Sequence, residues 1–182
     1  MEHTTIHVGG NDVEIKEQTE LVANCWGQIA HNDQPSHHML FVHFFDGYKG
    51  TCAQQGRGWV KRALLELYDS GEAMYPGDED NGEMSAWFVL AAIGLYLRSP
   101  GSLDAEYQFA SPLFGRVELN IGESDDGGLN SKRLLVVEAR NSGKDHTQIA
   151  RVLWNNEPLP SSSNGISYEL LRQGGTLTFE MI

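Results

Sequence analysis

Long apolar runs are missing from this sequence of 182 residues. Its richest stretches, residues 39–45 and 87–97, fall well short of the roughly 20 residues that a membrane-spanning helix needs, so the expectation is a chain that spans no membrane. Basic runs are missing too. Lys plus Arg number 13 against 25 Asp plus Glu, a net charge of -12, which makes nucleic acid and anionic membrane poor partners. Residues 1–10 lack both the basic n-region and the apolar h-region of a signal peptide, and the compartment stays open on this ground. Cysteine is limited to Cys25 and Cys52, without CxxC spacing, which excludes a zinc cluster. A pair this sparse is more often two packed thiols than a disulfide; Cys25 beside Trp26, and Cys52 before Trp59, are expected to be unbridged packing residues. HExxH, a GxSxG elbow and a Gly-rich phosphate loop are all absent, which argues against acyl and phosphoryl transfer.

The composition that remains is 40% hydrophobic and 21% charged, that of a globular domain with one core or two small ones. Glycine is abundant, with 20 residues, about one and a half times ordinary usage. Up to Leu97 the apolar residues fall at helical spacing. Val60, Ala63, Leu64, Leu67 and Tyr68 form one stripe, with Ser70-Gly71 as its stop. Trp87, Leu90, Ala91, Gly94 and Leu95 form another, but Phe88, Val89 and Ile93 fill the opposite side, which predicts a buried helix starting near Met84. A third helix is predicted to start after Pro35 and end before Gly47. From Tyr107 onward the pattern alternates: Val117, Leu119 and Ile121, then Leu177, Phe179 and Met181, read as half-buried strands. Residues 134–139 and 149–154 are short apolar strands, the latter ended by the turn pair Asn155-Asn156. The reading is a mixed α and β chain, helices first and a small antiparallel sandwich or sheet second. The break falls at Ser99-Pro100-Gly101-Ser102, and the stretch 123–128 reads as a surface loop.

Two segments could carry chemistry. Gly77-Asp78-Glu79-Asp80-Asn81-Gly82 leads directly into the buried helix, where the positive end of the helix dipole favours ionised carboxylates suited to a general base or a cation ligand. A solvated acidic loop that merely caps the helix fits the same pattern. An EF-hand does not, because its sixth and twelfth positions would be Glu83 and Val89. The other segment is His31-Asn32-Asp33-Gln34-Pro35-Ser36-His37-His38. Its Asn, Asp and Gln oxygens suit calcium, and its adjacent histidines suit a hydrogen-bond network as well as a ligand. Trp59 and Trp87 stand at helical spacing and are expected in the core rather than under a sugar ring.

The strings themselves carry a resemblance. Residues 77–87, followed by Gly94-Leu95-Tyr96, Pro100-Gly101 and Ala110-Ser111-Pro112-Leu113-Phe114, resemble the C-terminal signature of glycoside hydrolase family ninety-two, the calcium-dependent exo-acting α-mannosidases. Residues 32–38 resemble that family's Asn-Glu-Pro-Ser-His-His segment, with Asp33 where asparagine is usual and Gln34 where glutamate is. The ending Gly174-Gly175-x-Leu177-x-Phe179-x-Met181 is similar as well. The resemblance implies that residues 1–98 are the last helices of an (α/α)6 toroid and 99–182 a C-terminal β segment. Upstream parts of the catalytic domain would lie outside this sequence. It implies inverting hydrolysis of mannose-containing glycans, with α-1,2-linked mannose as the expected substrate, and a secreted, periplasmic or lumenal setting. By motif match Asp80 and Asp78 are candidate catalytic residues on the general-base side. Asp33, Gln34 and Asp80 are candidate Ca2+ ligands, and His37 and His38 candidate substrate contacts. The general acid would lie upstream, so the chain alone is expected to be inactive; were it active, Glu20, Glu72 and Glu83 would be the acids to test. A non-catalytic carbohydrate-binding or structural module is the alternative.

Overall fold

Local sequence rules account for most elements of the computed structural model, which describes residues 5–14, 25–26, 29–44, 51–71, 74–98, 100–102, 104–123 and 132–182. Two short hairpins come first, β1 (Thr5–Val8) with β2 (Asn11–Glu14) and β3 (Cys25–Trp26) with β4 (Ile29–Ala30). A 3₁₀ helix, Gln34–Phe44, follows; Pro35 fixes the backbone angle of its first turn. Helix α1 (Thr51–Glu66) buries Val60, Ala63 and Leu64 of the expected stripe, and Ala53 besides, while Leu67 and Tyr68 follow the helix end and are half-buried. Helix α2 (Glu83–Ile93) starts one residue before the expected point. It ends at Gly94, whose φ of 97° a side chain would resist and where an added Cβ would lie 2.7 Å from Pro112 Cγ. This stop separates Leu95 from the helix that its spacing suggests, and it opens β5 (Leu95–Arg98) instead.

The remaining elements are β6 (Glu106–Phe109), β7 (Arg116–Glu123), β8 (Lys132–Arg140), β9 (Ile149–Trp154), β10 (Glu157–Pro158), β11 (Gly165–Ser167), the short α3 (Tyr168–Leu171) and β12 (Gly175–Met181). Asn155 and Asn156, with φ of 50° and 69°, make the tight turn between β9 and β10, as a two-residue hairpin demands. The expected loop at 123–128 lies, from residue 124, outside the described residues. Besides the two-stranded pairs β1-β2 and β3-β4, two larger sheets form among the described residues, one in the order β11-β6-β5 and one in the order β10-β9-β12-β8-β7. Pairing is antiparallel except between β12 and β8, which run parallel. That pair departs from the antiparallel expectation because the last strand returns between β8 and β9 after the excursion through β11 and α3. Phe109 of one sheet meets Phe179 of the other edge-on at 5.5 Å within a shared apolar cluster.

A second cluster joins Leu40, Phe41, Val60, Leu64, Trp87 and Ala91 across the helices. Several expectations need correction at the surface of this layer. Trp59 is 46% exposed, with the Arg62 guanidinium 4.7 Å above its ring, and Val89 is half exposed. Cys52 is a free, exposed thiol rather than a core residue; the side chain of Cys25 lies outside the description. β5 pairs with β6, so one sheet draws strands from both sides of residue 98. Among the described residues no helix is long and apolar enough to cross a membrane.

Candidate active site

The site is built on the start of α2. Asn81 and Gly82 both adopt positive φ, 55° and 82°, turning the chain sharply into the helix. The Glu83 N–H donates to the Asp80 carbonyl at 3.1 Å. The Glu79 carboxylate bends over the helix end and accepts the N–H groups of Met84 at 3.0 Å and Ser85 at 2.8 Å. These are donors that a first helical turn cannot satisfy itself. Glu79 is thus the cap, while Asp78 and Asp80, one residue to either side, are exposed.

The 30s segment folds over the same loop. The Asp33 N–H donates to the Ala30 carbonyl at 3.0 Å and the Ser36 N–H to the Asp33 carbonyl at 2.8 Å, while Ser36 Oγ donates to the Ala30 carbonyl at 2.7 Å. This turn delivers the chain into the 3₁₀ helix with Gln34 facing the acidic loop. The Gln34 amide donates to the Asp78 carbonyl at 3.1 Å, across 44 residues of sequence. Gly77 is required beside it, since a Cβ there would lie 2.6 Å from Asn32 Cβ.

Behind this contact lies a buried histidine cluster. His31 is fully buried, its Nε2 lies 2.9 Å from the Tyr68 hydroxyl, and its ring stacks on His37 at 4.3 Å and meets Trp87 edge-on at 4.4 Å. Burial, helped by the neighbouring His37, lowers its pKa to about 3, because a charged ring would lose its hydration here. Burial also pushes the Tyr68 hydroxyl pKa up, with the Glu83 charge adding to it. His37 is 2% exposed. Its Nε2 lies 2.6 Å from the His31 carbonyl and its Nδ1 2.8 Å from Glu83 Oε1.

Asp78, Asp80, Asp33 and Gln34 therefore belong to two segments that touch. Asp33 and Asp80 are exposed and Gln34 half-buried. His38 is exposed, with its Nδ1 2.9 Å from the Pro35 carbonyl. His37 faces the interior, where both ring nitrogens are engaged in the kind of hydrogen-bond network that the sequence also allowed for the adjacent histidines. Among the described residues no three His, Cys, Asp or Glu side chains gather as a metal cage. Sequence reasoning missed the His31 to Tyr68 contact and the His37 to Glu83 pair, which depend on tertiary packing. The capping role of Glu79 had a signal in the acidic approach to an apolar helix. A groove of about 400 Å³, lined by Gln54, Arg57, Ile149, Leu159 and Asn164 among others, includes none of these site residues.

No curated protein sequence matches the chain. Solved structures do. An inverting mannosidase of family GH92 from Bacteroides thetaiotaomicron is 34% identical, with a TM-score of 0.69, over 91% of this chain and 20% of that one. A GH92 α-mannosidase from the same bacterium shares the fold at 21% identity and a TM-score of 0.71, over 85% of this chain and 19% of that one. The chain thus spans about a fifth of the length of these structures. The family model described as the glycosyl hydrolase family 92 catalytic domain matches residues 7–182, and the chain belongs to that family.

Proposed function

We propose that this chain carries the general-base and cation side of an inverting, calcium-dependent α-mannosidase site acting on mannose-containing glycans, with α-1,2-linked mannose as substrate. The hydrogen bond from the Gln34 amide to the Asp78 carbonyl supports it most directly, because it joins the two segments whose residue types suit that chemistry. Inversion needs one carboxylate to take a proton from the attacking water and a second carboxyl group to protonate the leaving oxygen, about 6.5–9.5 Å away. Asp80 is assigned the base: its carboxylate is open to water on a loop that Glu79 anchors. Asp78, on the same loop, helps to orient that water. The acid is assigned to the part of the family fold that the longer relatives contain beyond this region.

The donor set fits a hard cation. Asp33, Gln34 and Asp80 all offer oxygen, the ligand calcium prefers, and the neighbouring Asn32 Oδ1 is buried without a hydrogen-bond partner. When bound, calcium would hold mannose hydroxyls and favour distortion of the ring. Asp33 and Asp80 would hold it by carboxylate and Gln34 by its amide oxygen. His38, exposed beside them, is the remaining candidate for a sugar contact. Mannose release from an α-1,2-linked mannobiose by a protein that carries these residues within a whole family catalytic domain, with and without a chelator, tests this reading. Hydrolysis that a chelator leaves untouched removes the calcium assignment, and no release at all removes the activity.

A further inference from the structure

Gln34 makes an exposed link between the two site segments, and such a bond competes with water. The second link is half-buried, closed on the histidine side and partly open on the side of Glu83, whose side chain is 41% exposed. His37 Nε2 faces the His31 carbonyl, which only accepts, so Nε2 carries a proton. Nδ1 faces Glu83 Oε1 at 2.8 Å, so one further proton lies between ring and carboxyl. Whichever group holds it, the hydrogen bond is directional, and its histidine end is covered by the stacked His31 ring and by Trp87. Its two ends are well placed. His37 lies on the 3₁₀ helix that Gln34 opens, directly after Asp33, and Glu83 opens α2 directly after the loop of Asp78 and Asp80.

We propose that His37 and Glu83 form a positioning pair that holds the Asp33-Gln34 segment in register with the Asp78-Asp80 loop, neither residue touching the sugar. The proposal rests on the reading of those segments as a catalytic and cation site. A residue that merely stabilised the fold would loosen the whole chain when changed; a positioning pair loosens the opposite segment.

Amide hydrogen exchange on the 182-residue chain separates these outcomes. Glu83→Leu keeps bulk but removes the partner of Nδ1, and His37→Phe keeps a ring against His31 but removes both ring nitrogens. Glu83→Leu should speed exchange at residues 33–36, and His37→Phe should speed it at residues 78–82, each about tenfold, while amides of β8 and β12 hold their rates. The double variant should add little to either single change. In ¹⁵N spectra of the histidine rings, Glu83→Leu should move the His37 Nδ1 signal and leave Nε2 protonated. Exchange that rises only in the mutated segment overturns the proposal, as does a uniform rise that includes β8 and β12. Calcium titrated into the same samples should bind about tenfold more weakly in both variants. If the unmutated chain binds no calcium, the cation reading fails by itself, and the exchange pattern still decides the positioning pair.

Discussion

His31 shows how a single buried side chain writes a pH dependence into this chain. Its pKa is lowered by burial to about 3 from the ordinary 6.5. The unfolded chain therefore binds this proton as pH falls through 6.5, and the folded chain resists it until about 3. Stability that is complete above 6.5 should decline by about 1.4 kcal/mol per pH unit across that window from this group. Urea titrations of the chain and of His31→Gln, compared from pH 7 down to pH 4, check this: the variant should show the shallower slope, and equal slopes would remove the argument. Asp80 is the residue whose change should act on chemistry. On the proposed reading, and in a protein that carries these residues within a whole family catalytic domain, Asp80→Asn keeps the size and an oxygen but cannot take a proton from water, so kcat should fall about 100-fold to 10,000-fold with substrate affinity largely kept. Calcium affinity measured beside it separates loss of the base from loss of a ligand.

At the scale of elements, the start of α2 is the one on which the site depends. Glu79→Ala leaves the Met84 and Ser85 N–H groups without their carboxylate, and should cost about 1 kcal/mol of stability, with Glu79→Gln recovering part of it. Thermal unfolding of the three proteins checks this order, and an Ala variant as stable as the parent would show the cap to be idle. Helix α2 itself was legible in the sequence because an acidic, glycine-bearing approach precedes an apolar run. Its end was less so. Leu95 keeps helical spacing, yet Gly94 turns to positive φ and starts β5, a choice enforced by the close approach of Pro112. Strands β7 and β12 could be read from alternation and β8 and β9 from short apolar runs, but the parallel pairing of β12 with β8 could not, since strand order follows the path of the chain in space. The meeting of Gln34 with Asp78 was foreshadowed by the paired motifs; the engagement of His37 with Glu83 was not, because nothing in local spacing tells which side of a 3₁₀ helix is covered.

Across the whole molecule, two buried cations bind the helical layer to the strands. The Arg57 guanidinium donates to the Phe109 carbonyl at 3.1 Å and to Asn164 Oδ1 at 3.2 Å, and burial lowers its pKa to about 10. Lys61, 2% exposed, donates from Nζ to the carbonyls of Pro112, Gly143 and His146 at 3.2, 2.6 and 2.9 Å. Each bond leaves α1 and ends beyond residue 98, so the helices and strands share polar interior contacts as well as the β5 to β6 pairing. Burial lowers the Lys61 pKa, against a smaller opposing effect of Asp145, so the ammonium is held by carbonyl geometry at a cost in hydration. Lys61→Met keeps much of the volume but leaves three carbonyls without their donor. It should destabilise the chain by about 2–4 kcal/mol. Because the straps cross from one half to the other, helix and strand signals should still unfold together in the parent, and Trp fluorescence and far-ultraviolet dichroism should share one urea midpoint. In Lys61→Met that midpoint should fall, and separation of the two signals would show that this lysine is what couples the halves. Two separate transitions already in the parent would instead mean that the chain is two independently folding units, and the interior cations would lose the role given to them here.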